Sequence, residues 1–170
     1  MKTFTILGLL LVLVIVTPTF ILAQSPLPKE GSGANTSYFT GTLKSLPMGQ
    51  DLVAITYEVF GVTTNDAGQG FFHNVSSRCV GGLSVVKGEW DNEQGMCVFV
   101  DGDGDQVFVR YSAGSGRLGA VAKGKSTLAG GTGKYTGLTG TYEWTRTALR
   151  PTMPGTTHAV MKATFTYKLP

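Results

Sequence analysis

The hydrophobic pattern has a period of two for most of the chain. Over residues 157–169, Met161, Ala163, Phe165 and Tyr167 share one parity and Lys162, Thr164, Thr166 and Lys168 the other, the mark of a strand with one dry and one wet face. Runs bounded by glycine and Asp/Asn turns predict further strands at 37–45, 52–63, 70–86, 96–100, 106–112, 119–128 and 137–149. Eight strands suffice to close a small barrel. No window after the N-terminal apolar run has helical periodicity, and the 24 glycines would weaken helices while suiting a coiled sheet. In 96–100 both parities are apolar (Met96, Val98 and Val100 against Cys97 and Phe99), so that segment is expected to be partly covered outside, by a loop or a second subunit.

The N-terminus departs from this pattern. Residues 4–16 are almost unbroken apolar positions, and Ala23 before Gln24 offers a small residue at a cleavage point, so residues 1–23 read as a secretory signal and the protein as periplasmic or secreted. An uncleaved anchor is the alternative, because the run approaches the roughly 20 residues needed to span a bilayer; cleavage would leave no stable membrane anchor. Residues 24–36, with Pro26, Pro28, Gly31, Gly33 and Asn35, read as a flexible lead-in, and 37–170 as one β-barrel domain.

Charge changes the picture little. The net charge of +3 falls by one if Lys2 leaves with the signal, and the basic residues are scattered, which argues against nucleic acid as a partner. Cys79 and Cys97 are the two cysteines. In an exported chain a disulfide is the simplest reading; two buried free thiols are the competing one. Neither His73 nor His158 stands at ligand spacing from them, so no metal is expected, and nothing in the sequence calls for a cofactor.

The most specific motif is Gly130-Gly131-Thr132-Gly133-Lys134-Tyr135, followed by Gly137, Gly140 and the strand Tyr142-Glu143-Trp144. A phosphate loop is a poor reading, because Gly133-Lys134-Tyr135 replaces the GK[ST] ending and a strand pattern follows where a helix N-terminus is required. The five glycines instead suit a barrel corner, with Lys134 a solvated or barrel-mouth charge. Together with Arg78-Cys79-Val80-Gly81, Gly95-Met96-Cys97-Val98-Phe99, the Asp101–Asp105 hairpin and the closing strand, this run resembles the allene oxide cyclase and dirigent barrel superfamily, in particular bacterial exported proteins with an allene-oxide-cyclase-like barrel. The resemblance covers about residues 79–169. It implies a single closed antiparallel eight-stranded, calycin-like barrel with an apolar interior, and a homo-oligomer as in the plant members; the plant members' acidic catalytic residue matches no one position here.

The alternating run Asp101-Gly102-Asp103-Gly104-Asp105 first suggests calcium, but Gln106 and Ser112 stand where an EF-hand loop needs Gly and Glu, and Asp-Gly dipeptides suit a hairpin. Tyr57, Tyr142 and Trp144 are the candidate ligand-binding residues, and Glu58 and Glu143 the candidate acids or bases, with an outer-face ion pair as the plainer reading for both carboxylates. No Ser-His-Asp arrangement is legible. The sequence therefore points to an exported barrel holding a small hydrophobic molecule. An isomerase or cyclase of the allene oxide cyclase type and a ligand-free envelope interaction protein are the alternatives.

Overall fold

Strand-forming alternation, broken by turn residues at nearly every reversal, produces an up-and-down meander that closes on itself. The computed structural model describes residues 27–170, so the expected signal at 1–23 lies outside them. The strands are β1 (Glu30–Pro47), β2 (Leu52–Asn65), β3 (Val75–Val86), β4 (Glu89–Val100), β5 (Gln106–Ala113), β6 (Gly116–Arg117), β7 (Ala122–Gly131), β8 (Thr139–Leu149) and β9 (Thr156–Lys168). Each pairs antiparallel with its neighbour in the order β3-β2-β1-β9-β8-β7-β5-β4, and β3 with β4 closes the ring into an eight-stranded barrel. β6 is a two-residue ribbon added to the rim beside Glu89 and Trp90.

Four strands differ from expectation by three residues or more, and of these β7 runs over 122–131 instead of 119–128, with Gly119 left in the preceding connection at φ +79°. β1 begins at Glu30, because Glu30–Thr42 pairs continuously with β9; the lead-in expected through Thr36 is strand over 30–36 despite its glycines. β3 begins at Val75 instead of residue 70, since Phe72 and Asn74 take left-handed backbone angles and turn the preceding segment across the barrel end. β4 begins at Glu89 instead of residue 96, so the gap left between the expected strands 70–86 and 96–100 is mostly strand, reversed by a two-residue turn, Lys87-Gly88, both at positive φ.

The inward faces follow parity. Met161, Ala163, Phe165 and Tyr167 are buried as expected, as are Tyr142 and Trp144. In β4, Cys97 and Phe99 point in, whereas Met96 is half exposed on the outer wall, uncovered by any of the described residues. One end is sealed. Phe71 packs edge-on against Tyr135 and Phe165, at centroid distances of 5.8 and 5.3 Å, and Phe72 against Phe99 and Tyr142 at 4.9 and 5.5 Å. Asn65 holds this plug by donating to the Phe71 carbonyl at 2.7 Å.

The same end brings the two most conspicuous sequence motifs together. Lys134 lies in a short 3-10 turn, Gly133–Tyr135, and its ammonium contacts Asp101 at 2.6 Å and Asp103 at 2.5 Å; it is a barrel-end charge, paired rather than free in solvent. The buried Tyr135 donates to Asp101 at 2.9 Å, and the Lys134 N–H donates to Asp105 at 3.1 Å. The aspartates that suggested calcium thus serve this corner. Burial alone would raise the Asp101 carboxyl, but bonds from Lys134, Tyr135 and the Asp103 N–H outweigh it and hold the group below the usual carboxylate range. Gly133 has φ +50°, and a Cβ there would lie 1.8 Å from an Asp105 carboxylate oxygen.

Cys79 and Cys97 are direct cross-strand partners joined by a disulfide, with Cα atoms 4.0 Å apart. Replacing both by serine is expected to lower stability by about 3 kcal/mol on the chain-entropy account, read as a fall in the denaturant midpoint; an unchanged midpoint would exclude a stabilising role. At the corner, Gly133→Val is expected to destabilise by about 2 kcal/mol or more, and Lys134→Ala by about 1 kcal/mol or less, because that ion pair is partly solvated. Thermal melts of both variants check the order. The Asp101 contribution is full above its unfolded pKa and is lost as pH falls through the lowered folded value, so Asp101→Asn should be less stable than the parent at neutral pH and converge with it on acidification.

Candidate functional site

Between the aromatic plug and the opposite end, the barrel interior leaves a cavity of about 250 Å³. Its wall is mostly apolar, with Ile55, Val59, Val109, Trp90, Met161 and the disulfide-bonded Cys79 and Cys97 among its lining residues. It opens toward the end formed by the β1–β2, β3–β4 and β8–β9 turns and the β5–β7 connection, since Leu43, Leu118, Gly119 and Ala120 also line it.

A charged group lies inside that wall. Glu93 on β4 has a side chain with no solvent exposure, and it accepts two hydrogen bonds from the Arg146 guanidinium at 2.6 and 2.8 Å. The Tyr57 hydroxyl donates to the same carboxylate at 2.6 Å and lies 2.7 Å from the Tyr111 hydroxyl, which also reaches the Val80 carbonyl at 3.4 Å. The bidentate fork and the phenol satisfy both carboxylate oxygens, which is the condition for keeping a charge in an apolar interior. Arg146 also stands 5.5 Å from the Trp144 ring centroid, in cation–π range.

Local structure explains how these groups meet. Tyr57, Gly81, Gly95 and Tyr111 form one row across β2, β3, β4 and β5. The tyrosines lean toward each other over two glycines; a Cβ on Gly81 or Gly95 would lie 2.2 Å from the Tyr111 oxygen. Glu93 reaches the interior through a β-bulge: between the pairs Gly82–Gln94 and Ser84–Asp91, two residues of β4 oppose one of β3, with Asn92 at φ +57°. Trp90 and Glu93, of opposite parity, are consequently both buried.

The expected site residues divide cleanly. Tyr57, Tyr142 and Trp144 all line the cavity. Tyr142 donates to Asn35 at 2.8 Å and Trp144 to Ser126 at 3.1 Å. Glu58 and Glu143 do not reach it: flanked by inward residues, both point outward, where Glu58 pairs with Arg78 at 2.6 Å and Glu143 with Lys125 at 3.0 Å. The interior carboxylate is Glu93. Sequence reasoning missed it because the bulge breaks the alternation, whereas Arg146 was legible as the next same-parity residue after Tyr142 and Trp144. Of the five motif glycines, Gly130, Gly133 and Gly137 have left-handed angles; Gly131 is required by contact, a Cβ there lying 2.2 Å from the Gln106 carbonyl oxygen, and Gly140 likewise abuts the Thr166 carbonyl.

No family model matches the sequence, and no curated protein matches it. Among solved structures, a pterocarpan synthase dirigent protein superposes with a TM-score of 0.50 at 12% sequence identity, over 89% of this chain and 99% of that chain. The fold is a dirigent-like barrel. Within it the site offers hydroxyl groups backed by a carboxylate. Burial first, and then the Glu93 charge, push the Tyr57 hydroxyl far above the ordinary tyrosine range. Burial likewise pushes Tyr111 up to about 12 against the opposing bond from Tyr57. Both phenols therefore stay protonated at neutral pH as donors or relays.

Two tests follow from this geometry. Arg146→Met leaves Glu93 buried without its partner and is expected to cost about 3–5 kcal/mol; Glu93→Gln in the same chain should recover part of that loss in a double-mutant cycle. Tyr57, Tyr111, Tyr135 and Tyr142 all have folded pKa values above their unfolded ones, so their contribution is intact below about pH 10 and is lost as pH rises beyond it. Spectrophotometric titration should show them ionising together with alkaline unfolding. Reversible ionisation of all six tyrosines near their ordinary value, with the barrel intact, would contradict the burial argument.

Proposed function

We propose that the protein is an exported barrel that holds a small, mostly apolar molecule in its interior. The observation that carries this reading is the cavity of about 250 Å³, closed at one end by Phe71 and Phe72 and open at the other. That volume is slightly below the roughly 300 Å³ at which usual ligand pockets begin, so the fitting ligand is compact. Trp144 and Trp90 supply flat apolar walls, and the Tyr57–Tyr111 pair supplies a place for one oxygen of the ligand. Export is supported by the signal-like residues 1–23 and by the disulfide, which suits an oxidising compartment. Among the described residues no helix is long and apolar enough to cross a membrane. Self-association belongs to the same reading: Tyr38, Phe60, Val62, Val80 and Met96 form an exposed apolar strip on the outer wall of β1–β4.

A cyclase or isomerase is the second reading, and Glu93 favours it. The dirigent neighbour is a pterocarpan synthase, but at 12% identity the likeness carries the barrel and no reaction. Any acid–base step here would run through Tyr57 and Tyr111, because Glu93 has no exposed surface of its own.

The test is binding of a naphthalene-based fluorescent probe, with native mass spectrometry of the protein from its own compartment for a copurifying molecule. Ala159→Phe, which places a ring where a small lining residue stands, should abolish probe binding, and Trp144→Ala should weaken it about tenfold while near-ultraviolet circular dichroism shows folded protein. Absence of probe binding by the parent, with no copurifying molecule, would remove the ligand reading. For the second reading, Glu93→Gln should eliminate turnover while sparing the probe.

A further inference from the structure

The exposed apolar side chains of the turns lie at one end of the barrel. Leu43, Leu46, Met48, Val86, Leu118, Val121, Leu149 and Met153 are all on the turns or strand ends around the open mouth, and Leu46, Leu118 and Met153 are 63%, 55% and 62% exposed. The turns of the sealed end carry no exposed large apolar side chain among the described residues; Val62, near the end of β2 on that side, belongs to the outer-wall strip. Leu43 and Leu118 belong at once to this rim and to the cavity wall, so the apolar surface runs without a break from outside to inside.

Charge sorts along the same axis. Exposed basic residues alternate with the apolar rim in the chain as Leu43-Lys44, Val86-Lys87, Arg117-Leu118 and Leu149-Arg150. With Lys123 they outnumber the acidic residues of that end, Asp51, Glu89 and Asp91. The sealed end has the opposite balance: Glu30, Asp66, Asp101, Asp103 and Asp105 against Lys29, Lys134 and Lys168. The molecule is thus electrically polar, with its apolar end positive.

We propose that the open mouth docks on an anionic lipid bilayer, so that an apolar ligand passes between membrane and cavity without crossing water. A ring of single apolar side chains interleaved with lysine and arginine fits a bilayer interface: the apolar groups enter the headgroup boundary while the cations stay at phosphate level. The ligand's route rests on the proposed function, whereas docking is a property of the rim and is tested without ligand.

The test uses the full chain with an environment-sensitive fluorophore on a cysteine introduced at Met153 in the rim or, as control, at Ala67 in the exposed turn of the sealed end. Vesicles of phosphatidylcholine with phosphatidylglycerol should blue-shift the label at Met153 and leave it open to quenching by lipid-borne quenchers, with no change at Ala67. Pure phosphatidylcholine should give a markedly smaller effect. Lys87→Gln combined with Arg150→Gln, both exposed turn or strand-end positions, should lower partitioning to anionic vesicles about tenfold or more. A Leu118 label provides a second rim reporter should the first disturb folding.

A shift at Ala67 would overturn the proposal by showing attachment through the other end or through the N-terminal segment. A shift at Met153 that grows with protein concentration in the absence of vesicles would overturn it in favour of a second copy on the rim. No shift at either rim label would overturn it outright. Loss of probe binding in the cavity with lipid docking intact would reject the proposed ligand and retain the docking.

Discussion

The interior of an eight-stranded barrel has room for side chains and little else, so a large inward ring can be accommodated only where a neighbouring strand carries none. This chain meets that constraint with glycine directly across from aromatic residues. Trp144 faces Gly124, Phe165 faces Gly33, Tyr167 faces Gly31 and Phe39 faces Gly61, each in hydrogen-bonded register. At each of these glycines a Cβ would meet the opposing ring at 2.1 to 2.8 Å. The glycines therefore act as sockets, and their placement decides which part of the interior is filled with rings and which part remains open. Toward the sealed end the sockets of β1 receive Phe165 and Tyr167; further along the axis the cavity begins, with Tyr57, Trp90, Tyr111 and Trp144 among its walls.

The polar centre obeys the same steric rule and adds an electrostatic one. Gly81 and Gly95 clear the space in which Tyr57 and Tyr111 meet, and that meeting brings a hydroxyl to Glu93. A carboxylate in this setting persists because a guanidinium holds both of its oxygens. Arg146 is itself positioned by β8, whose two preceding inward residues are Tyr142 and Trp144. Ring packing, the ion pair and the phenol pair are in this sense one assembly: a side chain added at either glycine would displace the tyrosine that completes the carboxylate's hydrogen bonding.

How much of this the sequence disclosed depends on whether the information was local. Period-two alternation reveals the faces of β8 and β9, and thereby the inward placement of Tyr142 and Trp144. The cysteine pair follows from there being two cysteines, both on expected strands of a chain whose N-terminus reads as an export signal. Glu93 is hidden because its inward direction depends on an irregularity, and the segment that holds it resembles a polar connection when scanned for turn residues. The corner is hidden for a different reason. Asp101-Gly102-Asp103-Gly104-Asp105 and Gly130-Gly131-Thr132-Gly133-Lys134-Tyr135 each invite an ion or a phosphate when considered alone, and only the fold shows that one is the counter-charge of the other. β1 was shortened in expectation because Gly31 and Gly33 look like linker residues, when they are the sockets of Tyr167 and Phe165.

The β3–β4 hairpin has two timekeepers set one residue apart. Its tight turn fixes Val86 opposite Glu89, its disulfide fixes Cys79 opposite Cys97, and no regular ladder satisfies both; Asn92 absorbs the difference. Turn length and the shape of the cavity mouth are consequently linked variables. Deleting Glu89 would keep the tight turn, pair Trp90 with Val86 and let β4 run straight, with Glu93 still held inward by the clamp near Cys97 and Trp90 rotated out to solvent. A lineage carrying this barrel can therefore widen or narrow its doorway by insertion and deletion at the hairpin tip, a kind of change that leaves the buried acid in its place.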